Sequence, residues 1–396
     1  MKRNLLRDRD GHREERVGFI ELFFDLVFVF AVTQISHGLI AHPNPAGFVH
    51  ALMLLLAIWW VWVDTAWVTN WVDVRHMEVR LLLFALMAAG MLMAVAIPYA
   101  FAERAWLFAL AYLTAQLGRH FFMILALGGH SEANYRNFVR IFLWGLLEAP
   151  FWIGGALADD IMVRTILWGI ALAIVTVAPI FAFWVPGLGR SRISTWNVEG
   201  HHFSERCGLF IIIALGESIL VTGTAFGAAE IDLPRAAAFG SAFIGTMAMW
   251  WLYFDIGAER AARLLAQDKD PGRMARLAYT YLHLPIVAGI IVTAASDEMA
   301  LAHPEGEASL ATLIALLGGP ALYLAGNLLF KRTSGGQYFP LSHLVGVVLL
   351  AAAAAVACFW RTPTPVILSL IGTSVLILVA GWELVSLRET RKDLKT

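Results

Sequence analysis

Two carboxylates stand one helical turn apart in an apolar segment, "ELFFDLVFVF", which runs from Glu21 to Phe30. The apolar run extends to Ile40, a length typical of a helix that crosses a membrane. A charged side chain inside such a helix costs about 2.5–3.5 kcal/mol on insertion scales, so these residues are rare and commonly bind ions or protons. Two like charges this close together also favour binding of a proton. Glu21 and Asp25 are therefore the first candidates for proton or cation exchange.

Other ionisable residues lie at a similar depth in neighbouring apolar segments. Asp64 is near the end of the second segment, and Arg119 is on the fourth. At a rise of 1.5 Å per residue, Asp25 and Arg119 both lie about 12 Å from the same end of their helices. We therefore expect Asp64 and Arg119 to join the two carboxylates in one cluster, with Arg119 as the counter-ion. The alternative is a buried ion pair that only fixes how the helices pack.

The second half of the chain carries a related set of polar residues. Glu217 lies near the middle of the seventh apolar segment, and Asp255 lies in the eighth. Arg206 shares a helix face with Glu217, but about 16 Å of helix separates them, so they cannot pair directly. The other candidates for ion or substrate binding are His37, Glu148, Glu205 and His283. Glu148 and His283 each stand two residues before a proline, which can kink a helix and free backbone carbonyls.

The elements that must hold these residues are apolar segments of roughly 18–25 residues, long enough to cross a bilayer as helices. The chain has 396 residues, of which 59% are hydrophobic and 15% charged, whereas soluble domains have about 25% charged residues. The sequence therefore predicts an all-α integral membrane protein with about twelve transmembrane helices. Their approximate limits are 17–40, 47–69, 79–99, 105–127, 138–157, 161–184, 204–227, 237–258, 277–300, 309–330, 340–360 and 364–386.

The positive charges predict how these helices are oriented. If the N-terminus is cytoplasmic, 23 of the Lys and Arg residues lie on the cytoplasmic side and four on the opposite side. Positive residues concentrate in cytoplasmic loops of membrane proteins. We therefore expect a multi-pass protein of the cell membrane with both termini in the cytoplasm and with the first helix retained as an anchor.

An internal repeat divides the chain. "ERVGFI" begins at residue 15 and "ERCGLF" at residue 205, an offset of 190. "WWVWVD" at 59–64 and "WWLYFD" at 250–255 match at an offset of 191. We therefore expect two six-helix halves, 17–190 and 191–386, flanked by cytoplasmic segments 1–16 and 387–396. Since each half has an even number of helices, the repeat is parallel, about an axis along the membrane normal, as in many transporters.

Two segments carry a resemblance to a known family. They are "RVGFIELFFDLVFVFAVTQISHGL", from residue 16, and "HHFSERCGLFIIIALGESIL", from residue 201. Together they resemble the bacterial low-temperature-requirement A (LtrA) family. The resemblance implies a polytopic membrane protein linked by name to growth in the cold, with no settled substrate, cofactor or reaction. It marks as signature positions Glu21, Asp25, Glu205, Arg206, Gly216 and Glu217.

The function favoured by paired intramembrane carboxylates in a repeated fold is secondary transport coupled to protons or cations. An ion or proton channel and a non-transporting membrane protein of stress adaptation are the alternatives. An intramembrane enzyme is less favoured, because the sequence has no catalytic motif and no metal-ligand spacing. The expected partners are the lipid bilayer, protons or small ions and an unknown small solute. No cofactor is implied, the net charge of −1 does not suggest nucleic-acid binding, and the oligomeric state is open.

Overall fold

The structure is a computed structural model, and it describes residues 4–7, 16–191, 198–255, 259–267, 271–334, 339–359 and 363–386. Helices account for most of these residues, and the described ranges contain isolated bridges but no extended strand. The α-helices are α1 (Phe19–Ala41), α2 (Pro45–Trp71), α3 (Met77–Ala96), α4 (Ala105–Leu127), α5 (Glu132–Leu157), α6 (Ile161–Val177), α7 (Gly200–Ala228), α8 (Leu233–Tyr253), α9 (Glu259–Gln267), α10 (Pro271–Met274), α11 (His283–Ala302), α12 (Leu310–Ser334), α13 (Leu341–Phe359) and α14 (Pro365–Ser386).

Ten helices are long and apolar enough to cross a membrane, as expected for an all-α membrane protein. They are α1 to α5, α7, a continuous helical stretch that ends with α11, and α12 to α14. That stretch includes a π-helical turn at Ala275–Tyr281. Two of the twelve predicted segments, those at α6 and α8, are outside this set. The number of crossings therefore stays a prediction.

The sixth predicted segment, 161–184, is shorter in the structure. Asp160 begins α6 by accepting hydrogen bonds from the backbone N–H groups of Met162 and Val163, and the helix ends at Val177. Turns follow, in which Ala182 and Phe183 have φ angles of 52° and 49°. Residues with side chains rarely adopt this left-handed conformation and cannot continue a right-handed helix in it.

The described chain forms two compact units. The first contains the described residues within 1–35, 49–206 and 269–273, and the second contains those within 36–48, 207–268 and 274–396. The predicted division into two six-helix halves stays a prediction. In the first unit, α4 packs against α3 and α5, and α5 packs against α6.

Helices α11 and α12 pack closely in the second unit because glycines line their contact. A Cβ on Gly289 would lie 2.4 Å from the backbone nitrogen of Tyr323, and a Cβ on Gly319 would lie 2.8 Å from that of Thr293. Small residues of this kind let transmembrane helices approach each other without an intervening side chain. On the outward faces of both units, large apolar side chains such as Leu26, Phe84 and Val348 are exposed, as a lipid-facing surface requires.

Candidate functional site

The first candidate site surrounds Glu21 and Asp25, and we call it the Glu21–Asp25 cluster. Arg206 at the start of α7 binds both carboxylates, with Nη1 3.0 Å from Glu21 Oε1 and Nη2 2.6 Å from Asp25 Oδ1. The indole nitrogen of Trp62 on α2 also donates to Asp25 Oδ1, at 2.7 Å. The side chains of Glu21, Asp25 and Arg206 have no exposed surface. The cluster thus ties α1 to α2 and to the start of α7 within the first unit.

Both oxygens of the Glu21 carboxylate have further partners. Oε2 accepts a hydrogen bond from the backbone N–H of Gly18, so this carboxylate also caps the start of its own helix. His202 Nε2 lies 3.1 Å from Oε1, and Arg7 Nη2 lies 3.6 Å from Oε2. Two arginines therefore stand against two carboxylates in this cluster.

The helix ends around the cluster are fixed by polar contacts of their own. Asn70, near the end of α2, donates to the carbonyl of Glu199 at 2.8 Å and accepts from its backbone N–H at 2.9 Å. The Glu199 carboxylate in turn accepts from the backbone N–H groups of His201 and His202, which caps the start of α7. Glu205 accepts from the backbone N–H of Val17, just before α1. Residue 206 is thereby held in place against α1 and α2.

The predicted counter-ion of Glu21 and Asp25 was wrong. Arg119 pairs instead with Asp64, at 3.1 Å, and donates to the carbonyl of Val61 and the hydroxyl of Thr65, both at 3.1 Å. The equal depth of Asp25 and Arg119 along their helices does not fix which helix faces which. Arg206 was recognised as a signature position, but its role as the counter-ion depends on the start of α7 lying beside α1.

The second candidate site is a chain of hydrogen bonds across α2, α4 and α5, which we call the Asp64–Glu148 chain. Gln116 donates through Nε2 to Asp64 Oδ2 at 3.4 Å and to the Tyr112 hydroxyl at 3.2 Å, and it also contacts Arg119. The Tyr112 hydroxyl donates to Glu148 Oε2 at 3.3 Å. The Asp64 side chain is 22% exposed, whereas Glu148 is only 1% exposed. The chain thus connects an accessible carboxylate with a buried one.

The sequence of the whole chain points to one family. It matches the bacterial low temperature requirement A protein (LtrA) family over residues 16–381. The chain belongs to this family. The resemblance read from the first and seventh apolar segments is therefore confirmed, and the Glu21–Asp25 cluster is built from both of them.

One relative is similar over nearly the whole length. It is "Uncharacterized protein RA0937" from Rhizobium meliloti (strain 1021), 39% identical over 387 residues, which is 97% of this chain and 93% of the relative. No solved structure matches the chain.

The remaining predicted site residues lie in the second unit and do not join either site. Glu217 is buried in α7, and His37 is an exposed residue of α1 near Glu298. His283 uses both ring nitrogens, one with the Tyr253 hydroxyl at 2.7 Å and one with the carbonyl of Ala278 at 3.0 Å. These contacts give His283 a role in packing α11.

Sequence reasoning missed two polar features of the second unit, the Lys331–Glu383 pair and the carboxylate of Asp297. Lys331 on α12 pairs with Glu383 on α14 at 2.7 Å and donates to the carbonyl of Leu252 at 2.8 Å. Asp255, a predicted site residue, interacts electrostatically with Lys331. The other missed residue is Asp297, a buried carboxylate of α11. Its presence inside an apolar segment was a signal that the sequence offered.

Proposed function

We propose that this family member is a secondary transporter coupled to protons or cations, with the Asp64–Glu148 chain as its proton-exchanging site. The observation that carries the proposal is the imbalance of charge in this chain. Two carboxylates share one arginine, Arg119, and Glu148 has no ion pair in the described part of the protein. Uptake of one proton by either carboxyl group neutralises the set, and release restores one negative charge. A coupled transporter needs such a change inside the membrane.

The geometry links the protonation of the two carboxylates. Because Gln116 donates to the Tyr112 oxygen, the Tyr112 O–H is left to point at Glu148. When Oε2 of Glu148 takes up a proton, it becomes a donor, and donation to the Tyr112 oxygen requires the Tyr112 O–H to turn away from Glu148. Pro150, two residues beyond Glu148, removes a backbone hydrogen bond from α5 and makes that helix easier to bend. Proton uptake is thereby connected to a change of helix geometry.

The Glu21–Asp25 cluster has a different role in this proposal. Its two carboxylates are matched by Arg206 and Arg7, and they hold three helix ends together. A compensated buried set of this kind resists a change of protonation, because removing any charge leaves a partner unpaired. We therefore assign it to fixing the fold around α1, α2 and the start of α7.

We further propose twelve crossings, both termini in the cytoplasm of the cell membrane, and a parallel repeat of two six-helix halves. The repeat is supported by one contact that recurs inside each unit. Arg119 on α4 donates to the carbonyl of Val61, and Lys331 on α12 donates to that of Leu252. Val61 and Leu252 are the third residues of the matched segments "WWVWVD" and "WWLYFD". The segments "AYLTAQL", from residue 111, and "LYLAGNL", from residue 322, match just before these two cations.

Proton flux into liposomes tests the proposal. The purified protein is reconstituted with a pH-sensitive dye inside, and a low-molecular-mass cell extract is added outside as a source of the solute. We expect saturable, extract-dependent proton flux, which Glu148→Gln abolishes and Tyr112→Phe slows. Glu132→Gln is the matched control, because this exposed residue lies on the same helix and pairs only with the neighbouring Arg136. It should leave the flux unchanged.

The alternatives predict other results. Flux that grows with the membrane potential without saturating, and without the extract, indicates a channel. If Glu148→Gln retains the flux and its pH dependence, the Asp64–Glu148 chain is not the proton site. An infrared difference spectrum of the purified protein on a pH jump gives a second measure, since the carboxylic acid band of Glu148 should disappear in Glu148→Gln.

A further inference from the structure

A buried carboxylate in the second unit lies at the end of a chain of hydroxyl groups from two other helices. Ser369 on α14 lies 3.5 Å from Oδ1 of Asp297 on α11 and 2.9 Å from the hydroxyl of Ser241 on α8. Ser241 contacts Thr373 on α14 at 3.0 Å. We call these four residues the hydroxyl cluster. Asp297 is only 4% exposed, and all three hydroxyl residues are buried.

The charge of Asp297 has no cation beside it. In the described ranges, no Lys, Arg or His nitrogen forms an ion pair with this carboxylate, in contrast to Glu383, which pairs with Lys331. An ionised carboxylate buried in this way is costly unless a positive charge offsets it. Its one hydrogen bond, from Ser369, is long. The carboxylate therefore lacks the compensation that Glu21, Asp25 and Glu383 receive from fixed cations.

The hydroxyl groups leave their oxygen lone pairs available. Thr373 donates its hydrogen to the carbonyl of Ser241 at 3.0 Å, and Ser241 donates to Thr373. The Ser369 hydroxyl has one hydrogen, which it can donate either to Ser241 or to Asp297. A hydroxyl oxygen has two acceptor lone pairs, so each can also face a cation while its hydrogen is donated elsewhere. The cluster thus presents oxygen ligands and no nitrogen.

The packing of α11 on α12 brings a backbone oxygen near this level. Gly289 of α11 meets Tyr323 of α12, and Thr293 meets Gly319, so continuing this antiparallel register one turn places Asp297 beside Ala315, the neighbour of Leu316. Pro320 has no N–H to donate to the carbonyl of Leu316, four residues earlier. This oxygen would lie 3.2 Å from a Cβ on Gly372, between the cluster residues of α14.

We propose that the hydroxyl cluster binds Na⁺, with the Asp297 carboxylate supplying the one negative charge. Carboxylate, hydroxyl and carbonyl oxygens suit hard cations, and a single carboxylate neutralises a monovalent ion but not a divalent one. Freed carbonyls and polar side chains inside a membrane are the groups that coordinate coupling ions in transporters. The inference rests on the proposed function in one respect, because it makes Na⁺ the ion that drives transport. Binding of Na⁺ at this cluster does not itself require transport.

Equilibrium binding of radioactive Na⁺ to the purified full-length protein in detergent tests this site. Choline replaces Na⁺ at constant ionic strength, and thermal unfolding is followed in parallel. We expect saturable binding, with a melting temperature that rises with the Na⁺ concentration because a ligand of the native state stabilises it. Asp297→Asn should abolish both effects, and Ser369→Ala should weaken the affinity roughly tenfold, as is common when one supporting group of a metal site is removed.

Two matched controls separate the site from general effects. Glu298→Gln removes the neighbouring carboxylate, and Ser334→Ala removes a buried hydroxyl of α12 that donates only to the carbonyl of Phe330. Both variants should bind Na⁺ like the wild type. The proposal is overturned if the wild-type protein binds no Na⁺, or if Asp297→Asn binds it unchanged. Na⁺ binding without any flux in liposomes would overturn the transport function and leave the site standing.

Discussion

The Glu21–Asp25 cluster and the Asp64–Glu148 chain each hold two carboxylates, but they differ in their cations. The first has Arg206 and Arg7, and the second has Arg119, with the His120 ring 3.9 Å from Asp64. Both lie in the first unit and involve α2, so the difference is not one of location. In our proposal, an intramembrane carboxylate is structural or exchangeable according to the charge beside it. Burial alone does not distinguish the two cases.

The second unit repeats the contrast with different residues. Glu383 is paired with Lys331, whereas Asp297 has no ion pair in the described residues and contacts the Ser369 hydroxyl. Glu21, Asp25 and Glu383 are thus matched by fixed cations. Glu148 and Asp297 have no such partner in the described residues, and we assign them to a proton and to Na⁺. The predictions below test this rule.

The largest effect is expected for Arg206→Gln. It leaves Glu21 and Asp25 buried without their shared cation, and breaking a buried pair in this way costs about 3–5 kcal/mol. The thermal unfolding of the detergent-solubilised variant should shift far below that of the wild type, with a loss of yield. Arg136→Gln, at an exposed ion pair of α5, is the control and should unfold like the wild type. An unshifted Arg206→Gln would remove the structural role of the cluster.

A double-mutant cycle sharpens the comparison by identifying the true partner of Asp25. Asp25→Asn combined with Arg206→Gln should recover part of the stability lost in the single variants, with a coupling energy of about 0.5–3 kcal/mol between contacting residues. The cycle of Asp25→Asn with Arg119→Gln should give a coupling near zero, since Arg119 pairs with Asp64. Stronger coupling to Arg119 than to Arg206 would contradict the arrangement of helices described above.

Glu148→Gln should have a smaller effect on stability, because the amide oxygen can still accept the hydrogen bond of Tyr112 and no fixed cation loses its partner. We expect a change of about 1 kcal/mol or less in the free energy of unfolding, the size of one hydrogen bond, together with loss of proton flux. Denaturation and flux are measured on the same preparation. A collapse of the fold similar to that of Arg206→Gln would show that the two sites do not differ in kind.

The smallest effect is expected at Asp73, in the loop after α2. Hydrogen bonds from Arg75 lower the pKa of Asp73 below its usual value. The pair therefore stabilises the fold at neutral pH, and this contribution is lost as the pH falls through the lowered pKa, below about 3.9. Because Arg75 is exposed, we expect about 0.2–1 kcal/mol at most. Arg75→Gln should lower the melting temperature slightly at neutral pH, and the difference from the wild type should vanish in strong acid.

Much of the fold could be predicted from local patterns. Helices occur at each of the twelve predicted segments, because long apolar runs must satisfy their backbone hydrogen bonds within the segment. The end of α6 was missed, although Pro179, two residues after Val177, is a signal for the end of a helix. The left-handed backbone conformation of Ala182 and Phe183 then marks the turn. The two compact units depend on packing between distant segments, which local patterns do not specify.

The sequence by itself determined the family, the all-helical membrane character and the candidacy of Glu21, Asp25, Asp64 and Glu148. Each of these follows from residue types within one segment, whose apolar length and charge are local properties. Only the tertiary structure decided that Arg206, 181 residues from Asp25, is its counter-ion, and that Asp297 lies beside the Ser369 hydroxyl. The physical reason is that a charge is balanced by whatever lies within a few ångströms of it, and helix packing alone sets those neighbours.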